Sequence, residues 1–185
     1  MQSARATGRT SRPPGDFEAL FAEYHSLVVG TAFRVTGRGE DAEDVLQTVF
    51  IRLLKRWDEL ELSARPAAYL RRAAVNASLD LLRARARAGA VPLDDDATPE
   101  LEQTGVASPE QHRLDAEMRR RLRQALVGLS DRSAQVFVMR YLEELPNKEI
   151  ARTLGMTQTA VAVMLHRARH HVRDHLNEFI GGMDS

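Results

Sequence analysis

The sequence predicts an all-α protein made of two small helical domains joined by a flexible acidic linker, the second containing a helix-turn-helix. Apolar residues recur at helical spacing, and no segment shows the alternation typical of a β-strand. Residues 88–111 contain many acidic residues and prolines but no Lys or Arg, as a linker would. Two short helical patterns meet at Gly155, as in a helix-turn-helix.

These patterns predict five segments along the chain. They are a disordered tail at 1–15, a first domain at 16–88, the linker at 89–111, a second domain at 112–178 and a tail at 179–185.

The composition is typical of a globular protein with a buried core. The chain has 185 residues, of which 43% are hydrophobic, and its formal net charge is zero. No apolar run reaches the length of a membrane span or of a secretory signal, so we expect no membrane insertion and a cytoplasmic location. The absence of cysteine excludes disulfides and thiolate zinc sites. The balanced charge argues against a non-specific nucleic-acid coat but leaves local DNA binding open.

The first domain is predicted to contain three helices. Gly37 and Gly39 separate the first from the second, which starts near Glu40, and Pro66 suits the first turn of the third. The apolar face of the first helix is formed by Phe17, Leu20, Phe21, Tyr24, Leu27, Val28, Thr31 and Val35. That of the second is formed by Ala42, Val45, Leu46, Val49, Phe50, Leu53, Leu54 and Trp57. That of the third is formed by Leu70, Ala73, Ala74, Ala77, Leu81 and Leu82.

The second domain is predicted to contain four helices. Ser108 followed by Pro109 is typical of a helix start, and Ser130 opens another helix. The last two helices form the helix-turn-helix: Gly155 supplies the conformation of a sharp turn, and Thr157 is a suitable N-cap. Their apolar faces carry Ile150, Ala151 and Leu154, then Val161, Leu165, Ala168 and Val172.

Three segments resemble, in order, the motifs of sigma-70-type initiation factors. Residues 41–50, Asp-Ala-Glu-Asp-Val-Leu-Gln-Thr-Val-Phe, resemble the polymerase-binding helix. Residues 69–83 resemble the helix that recognises the −10 promoter element, and the Leu-His-Arg-Ala-Arg run at 165–169 resembles the end of the −35 recognition helix. The two-domain layout is similar to that of the extracytoplasmic-function subgroup, and the resemblance covers about residues 16–178.

The resemblance implies a function in transcription initiation and three sets of contact residues. The set for core RNA polymerase is Asp41, Asp44, Gln47, Thr48 and Phe50. The set for −10 DNA is Arg65, Tyr69, Arg71, Arg72, Asn76, Asp80 and Arg83, with a loop at about 59–65 expected to contact a flipped base. The set for −35 DNA is Gln158, Thr159, Ala162, Val163, His166, Arg167 and Arg169.

Two of the three resembling helices depart from the family pattern. The family usually has polar or basic residues where this chain has Ala160, Ala162, Val163 and Met164, which predicts an unusual −35 sequence or weaker dependence on that element. Thr48 stands where an acidic residue is common, which is a milder change.

The resemblance also implies partners. They are core RNA polymerase, promoter DNA and an inhibitory anti-sigma factor, with a chain that is monomeric when free. The acidic linker is expected, by analogy, to lie near the polymerase active-site and RNA-exit channels. In the run at residues 83–87, Arg83, Arg85 and Arg87 are expected to contact phosphates rather than form only a solvated helix end.

Simpler interpretations stand beside these. Asp41 and Asp44 can be a solvated helix start, Tyr69 a core residue, and Asn76 a helix cap or bridge. The histidines share helical spacing but lack a completing carboxylate or thiol, so we expect a polar surface and no metal or other cofactor; they are His166, His170, His171 and His175. No catalytic constellation is evident.

Two other functions remain open. One is a stand-alone helix-turn-helix regulator that binds duplex DNA as a dimer, which would not need the helix at 41–50. The other is a helical interaction protein without a DNA role, which would show no salt-dependent DNA binding.

Overall fold

The computed structural model describes residues 14–58, 65–89 and 109–183, and every regular element within these ranges is an α-helix. The prediction of an all-α protein is confirmed. The helices are α1 (Pro14–Thr36), α2 (Gly39–Lys55), α3 (Pro66–Arg87), α4 (Pro109–Gly128), α5 (Asp131–Tyr141), α6 (Asn147–Leu154) and α7 (Gln158–Met183). The N-terminal tail to residue 13, the loop at 59–64 and most of the acidic linker lie outside the described residues.

Helices α1, α2 and α3 pack against each other as a first unit. Gly37 has a φ of 75°, a backbone conformation that favours glycine, and this residue turns the chain from α1 into α2. Pro66 occupies the first turn of α3, as predicted. The core of this unit contains Val28, Ala32, Ala42, Val45, Val49, Phe50, Leu53, Trp57, Leu70, Ala74 and Ala77.

Helices α4 to α7 form a second unit around the helix-turn-helix. Gly155 has a φ of 65° and ends α6, while the Met156 amide donates to the Ala151 carbonyl at 2.8 Å. The Thr157 hydroxyl accepts a hydrogen bond from the Ala160 amide at 3.1 Å, which is the geometry of an N-cap. The predicted turn and cap are therefore present.

Helix α7 is longer than the sequence patterns indicated. It spans 26 residues and continues to Met183, so residues 179–183 of the expected tail are helical instead. The apolar spacing continues through Val172 to Leu176, and both side chains pack on the core of the second unit, which stabilises this part of the helix.

The two units pack directly on each other. One apolar cluster contains Val35, Val75, Leu79 and Leu82 from α1 and α3, together with the core of the second unit. Leu126, Met139 and Ile150 are fully buried in that shared cluster. Helix α3 is thus packed between the rest of its own unit and the second unit. Within the described ranges, no helix is long and apolar enough to cross a membrane.

Candidate polymerase and nucleic-acid interfaces

Helix α2 separates the predicted polymerase-binding residues into an exposed and a buried group. Asp44 and Gln47 are exposed, and Thr48 is partly buried. Asp41 is only 1% exposed and Phe50 only 5% exposed. The expectation that these last two side chains are available to a partner is wrong. Each belongs to the apolar spacing of α2, because Asp41 lies one helical turn before Val45 and Phe50 one turn after Leu46.

Asp41 forms a bidentate ion pair with Arg85, which holds the end of α3 against the start of α2. Arg85 Nη1 lies 2.6 Å from one carboxylate oxygen, and Nη2 contacts the other. Burial raises the pKa of the Asp41 carboxyl above its usual range, and the Arg85 and Arg38 guanidinium groups offset part of this rise. Arg85 therefore contacts a carboxylate in this structure, rather than the DNA phosphate that the sequence suggested.

Phe50 contributes to an aromatic cluster inside the first unit. Its ring lies 6.0 Å from that of Phe17 and 4.8 Å from that of Phe21, both in edge-on arrangements. Such contacts stabilise the packing of α1 on α2.

The exposed face of α2 contains two apolar residues that the sequence analysis did not assign to a partner. Ile51 is 51% exposed and Leu54 is 56% exposed. With Asp44, Gln47 and Thr48 they follow helical spacing, so the five residues form one surface, here called the α2 stripe. The expectation that Leu54 belongs to the core is wrong. The sequence signal that could have identified Leu54 as exposed was its helical spacing with residues 44, 47 and 51.

Helix α3 presents three of its predicted −10 arginines to the second unit. Arg71 Nε donates to Glu143 at 3.1 Å, and Arg72 Nη1 donates to the Thr153 carbonyl at 3.2 Å. Arg83 pairs with Asp131 at 2.8 Å and donates to the Leu129 carbonyl at 3.3 Å. These guanidinium groups are engaged by the helix-turn-helix unit in the isolated chain.

The other predicted −10 residues are distributed along α3. Arg65 and Asp80 are exposed, and Tyr69 is 39% exposed, so Tyr69 is not the core residue of the simpler interpretation. Asn76 is partly buried, and its Oδ1 is buried without a hydrogen-bond partner in the described part of the chain. Of the loop at about 59–65 that is expected to contact a flipped base, residues 59–64 lie outside the described residues.

Helix α7 exposes all of the predicted −35 residues. Gln158, Thr159, Ala162 and Val163 occupy its first two turns, where a recognition helix contacts base edges, and Val163 is 47% exposed. Their neighbours Val161 and Leu165 are buried against the rest of the unit. The face therefore combines polar and small apolar groups and lies open to solvent.

Two predicted −35 residues also line a groove between α7, α4 and α5. His166 and Arg169 line this groove, of about 570 Å³, with Met118, Phe137 and Tyr141 opposite. The His166 and His170 rings lie 4.6 Å apart. No group of three or more His, Asp and Glu residues in the described ranges is placed to hold a metal ion.

Comparisons with known proteins follow the division into two units. Residues 20–88 match the family Sigma-70 region 2, and residues 119–172 match the family Sigma-70, region 4. The RNA polymerase sigma-E factor of Streptomyces avermitilis is 30% identical over 161 residues, which are 87% of this chain and 85% of that protein. The ECF RNA polymerase sigma factor SigE of Mycolicibacterium smegmatis is 31% identical over 173 residues, covering 92% of this chain and 65% of that protein.

A solved structure shows the same fold. It is the sigma factor RpoE in complex with the anti-sigma factor NepR from Bartonella quintana, with a TM-score of 0.53 and 17% identity over 88% of this chain and 97% of that one.

Proposed function

We propose that this chain, which belongs to the sigma-70 family and to its extracytoplasmic-function subgroup, binds core RNA polymerase, directs it to specific promoters and helps to open the −10 region. The family consists of initiation factors rather than enzymes, and the chain would act in the cytoplasm, where the polymerase is. The observation that carries the proposal is the combination of a helix-turn-helix, which ends in α7, with the exposed α2 stripe. A stand-alone DNA-binding regulator has no need for such a stripe.

The α2 stripe is the proposed contact with core polymerase. Ile51 and Leu54 supply apolar area that a partner surface can bury, and Asp44 and Gln47 supply polar groups beside it. Apolar anchors flanked by polar residues are typical of protein interfaces. The carboxylate of Asp44 would set orientation and association rate more than affinity.

Helix α3 is the proposed −10 contact. Tyr69 offers an exposed ring for stacking on an unpaired base, and the arginines offer charge for the strand backbone. Since Arg71, Arg72 and Arg83 are engaged by the second unit, these three arginines would be free for DNA only after the two units separate.

Helix α7 is the proposed −35 contact. Ala162 and Val163 suit thymine methyl groups in the major groove, and Arg167 suits a phosphate. Gln158 and Thr159 are the polar side chains near the start of the helix, so they would provide most of the hydrogen bonding to base edges. We therefore expect the −35 element to be rich in thymine.

An anti-sigma factor is the proposed regulator. The Bartonella quintana protein of similar fold is known in complex with one. Purification of this chain from its native cells would test the proposal. A tight one-to-one complex that dissociates on induction would support it, and a chain recovered alone under non-inducing conditions would contradict it.

Run-off transcription tests the proposed function directly. Core polymerase with this chain should produce discrete new transcripts from genomic fragments that include the DNA upstream of its own gene. The double variant Ile51→Gln and Leu54→Gln should abolish them and should no longer co-migrate with core polymerase. Leu114→Gln, which changes a leucine of 44% exposure on α4, is the matched control and should leave transcription unchanged. Polymerase-independent binding to duplex DNA with no transcript would support the stand-alone regulator instead.

A further inference from the structure

We propose that Thr31, Arg34 and Arg71 form a binding pocket for a backbone phosphate of promoter DNA, and that Glu143 occupies this pocket in the free chain as an internal competitor. The inference rests on the proposed function, because it assigns Thr31 and Arg34 of α1 a role beside the proposed −10 helix. The ligand is a phosphodiester group, so the pocket would add affinity without reading sequence.

The pocket surrounds both oxygens of one carboxylate. Arg34 Nε donates to Glu143 Oε1 at 2.8 Å. Thr31 Oγ1 and Arg71 Nε donate to Oε2 at 3.0 Å and 3.1 Å. The Glu143 side chain is only 2% exposed, although it extends from the second unit into the first. A hydroxyl and two guanidinium groups converge on this one anion from two helices.

A phosphate matches the same donors. Like a carboxylate, a phosphodiester presents two charged oxygens on one central atom, and the arginine fork binds either group. With Glu143 removed, the two guanidinium groups would lie close together without a neutralising partner. An emptied pocket of this kind attracts an anion, and Arg71 already lies on the helix proposed to meet the DNA strand.

Backbone hydrogen bonds hold the loop that carries Glu143. The Glu143 amide donates to the Val138 carbonyl at 3.1 Å, and the Leu145 amide donates to the Met139 carbonyl at 2.9 Å. Glu144 has a φ of 54°, a left-handed conformation uncommon outside glycine. This backbone directs Glu143 into the pocket, so little additional ordering is needed when the two units close.

Occupation of the pocket coincides with the covering of α3. The same closure engages Arg72 and Arg83 and buries Val75 and Leu79. In the closed chain Arg71, Arg72 and Arg83 are therefore engaged, and a partner that binds only the open arrangement shifts the population toward it. In this scheme the binding of core polymerase would supply the free energy that separates the two units. A DNA phosphate would then replace the Glu143 carboxylate.

The first experiment compares Glu143→Gln with Glu144→Gln, the same chemical change at the exposed neighbouring position. Anisotropy would measure binding of the full chain to a fixed single-stranded DNA oligonucleotide. We expect Glu143→Gln to bind roughly tenfold more tightly than wild type, because a charge-assisted competitor is removed. Glu144→Gln should match wild type. Equal affinities for all three proteins would overturn the proposal.

A distance measurement separates opening from non-specific charge effects. The chain has no cysteine, so Glu43→Cys and Glu149→Cys, at exposed positions on α2 and α6, allow a donor and acceptor dye to be attached. DNA should lengthen the dye separation at a lower concentration in Glu143→Gln than in Glu144→Gln. Tighter DNA binding without a longer separation would contradict the competitor role.

The salt dependence of binding tests the phosphate contact itself. In the Glu143→Gln background, Arg34→Gln should remove the affinity gain and reduce the slope of log K against log salt by about 0.7, as expected for one contact with a single strand. Arg52→Gln, which removes an exposed arginine of α2, should keep the gain. An unchanged slope in Arg34→Gln would overturn the pocket. Thermal unfolding of each variant checks that the fold is retained.

The two proposals can fail independently. Wild-type run-off transcription tests the sigma activity, whereas the oligonucleotide binding, being independent of sequence, needs neither polymerase nor a known promoter. Transcription by wild type with no difference between the two glutamate variants would leave the sigma function and overturn the pocket. If wild type gave no transcripts but Glu143→Gln bound DNA more tightly than Glu144→Gln, the pocket would stand and the sigma function would be removed.

Discussion

Helices α3 and α7 carry the two proposed DNA-binding surfaces, and the chain exposes them in opposite ways. Helix α7 leaves its first two turns open to solvent, whereas α3 has three arginines engaged by the second unit and Leu79 only 2% exposed. The proposed −35 surface is therefore available in the free chain, whereas three arginines of the proposed −10 surface become free only when the units separate. A DNA-binding helix can thus be controlled by what covers it as well as by its own residues.

The largest effect should come from the apolar contact that covers α3. Leu79→Ala removes a side chain from the shared cluster, and we expect the free energy of unfolding to fall by about 3 kcal/mol. Val163→Ala on the open face of α7 should change it by less than about 0.5 kcal/mol. Urea denaturation measures both. Similar losses for the two variants would show that α3 is not covered in solution.

The next effect concerns the ion pair at the end of α3. Arg85→Gln leaves the buried Asp41 carboxylate without its guanidinium partner, so we expect a loss of about 2 kcal/mol, reduced because Arg85 itself is partly exposed. Arg87→Gln, at an exposed position two residues later, is the control and should stay near wild type. A wild-type stability for Arg85→Gln would show that the pair contributes nothing to holding α3 on α2.

A smaller effect on the free energy of unfolding, which depends on pH, is expected in the second unit, to which α7 belongs. Hydrogen bonds from Arg120 and Arg121 lower the pKa of Glu117 to about 2, from an ordinary value of 4.5. Because the folded-state pKa is the lower one, ionised Glu117 stabilises the fold above about pH 4.5, and this contribution is lost as the pH falls toward 2. Allowing for solvent screening, we expect Glu117→Gln to lose about 1 kcal/mol at neutral pH.

Chemical denaturation of wild type and Glu117→Gln across that pH range provides the measurement. The difference between them should disappear near pH 2. Glu110→Gln, an exposed change on the same helix, should show no such convergence. A difference that persists at low pH would contradict an ionic origin.

The smallest effect tests the open surface of α7. Arg167→Ala in the polymerase holoenzyme should weaken binding to a −35 duplex by about 1 kcal/mol, and should reduce the salt slope by about 0.9, as loss of one phosphate contact would. Arg113→Ala, an exposed arginine of α4, is the control. An unchanged slope would mean that this residue does not reach the DNA backbone.

The sequence predicted the helices better than the surfaces. Apolar spacing, Pro66, Gly155 and Thr157 were enough to place the helices and the turn, because these signals act over a few neighbouring residues. The end of α7 was misjudged, since the helix continues through residues 179–183.

Side-chain exposure on α2 was predicted only in part. Asp44 and Gln47 were correctly expected to be exposed, but Asp41 and Phe50 are buried and Leu54 is exposed. The charge of Asp41 suggested a surface residue. Its partner Arg85 lies 44 residues away, and such a pairing becomes evident only when the helices are packed.

The sequence by itself was enough to predict an all-α fold with a helix-turn-helix and to show a resemblance to sigma factors in three ordered segments. The tertiary structure decided which of those residues are accessible. It brought Glu143 to Thr31, Arg34 and Arg71, more than 70 residues away along the chain, and turned the face of α3 inward. Helix signals are local in the chain, whereas burial and ion pairing depend on the association of distant segments, which no local pattern encodes.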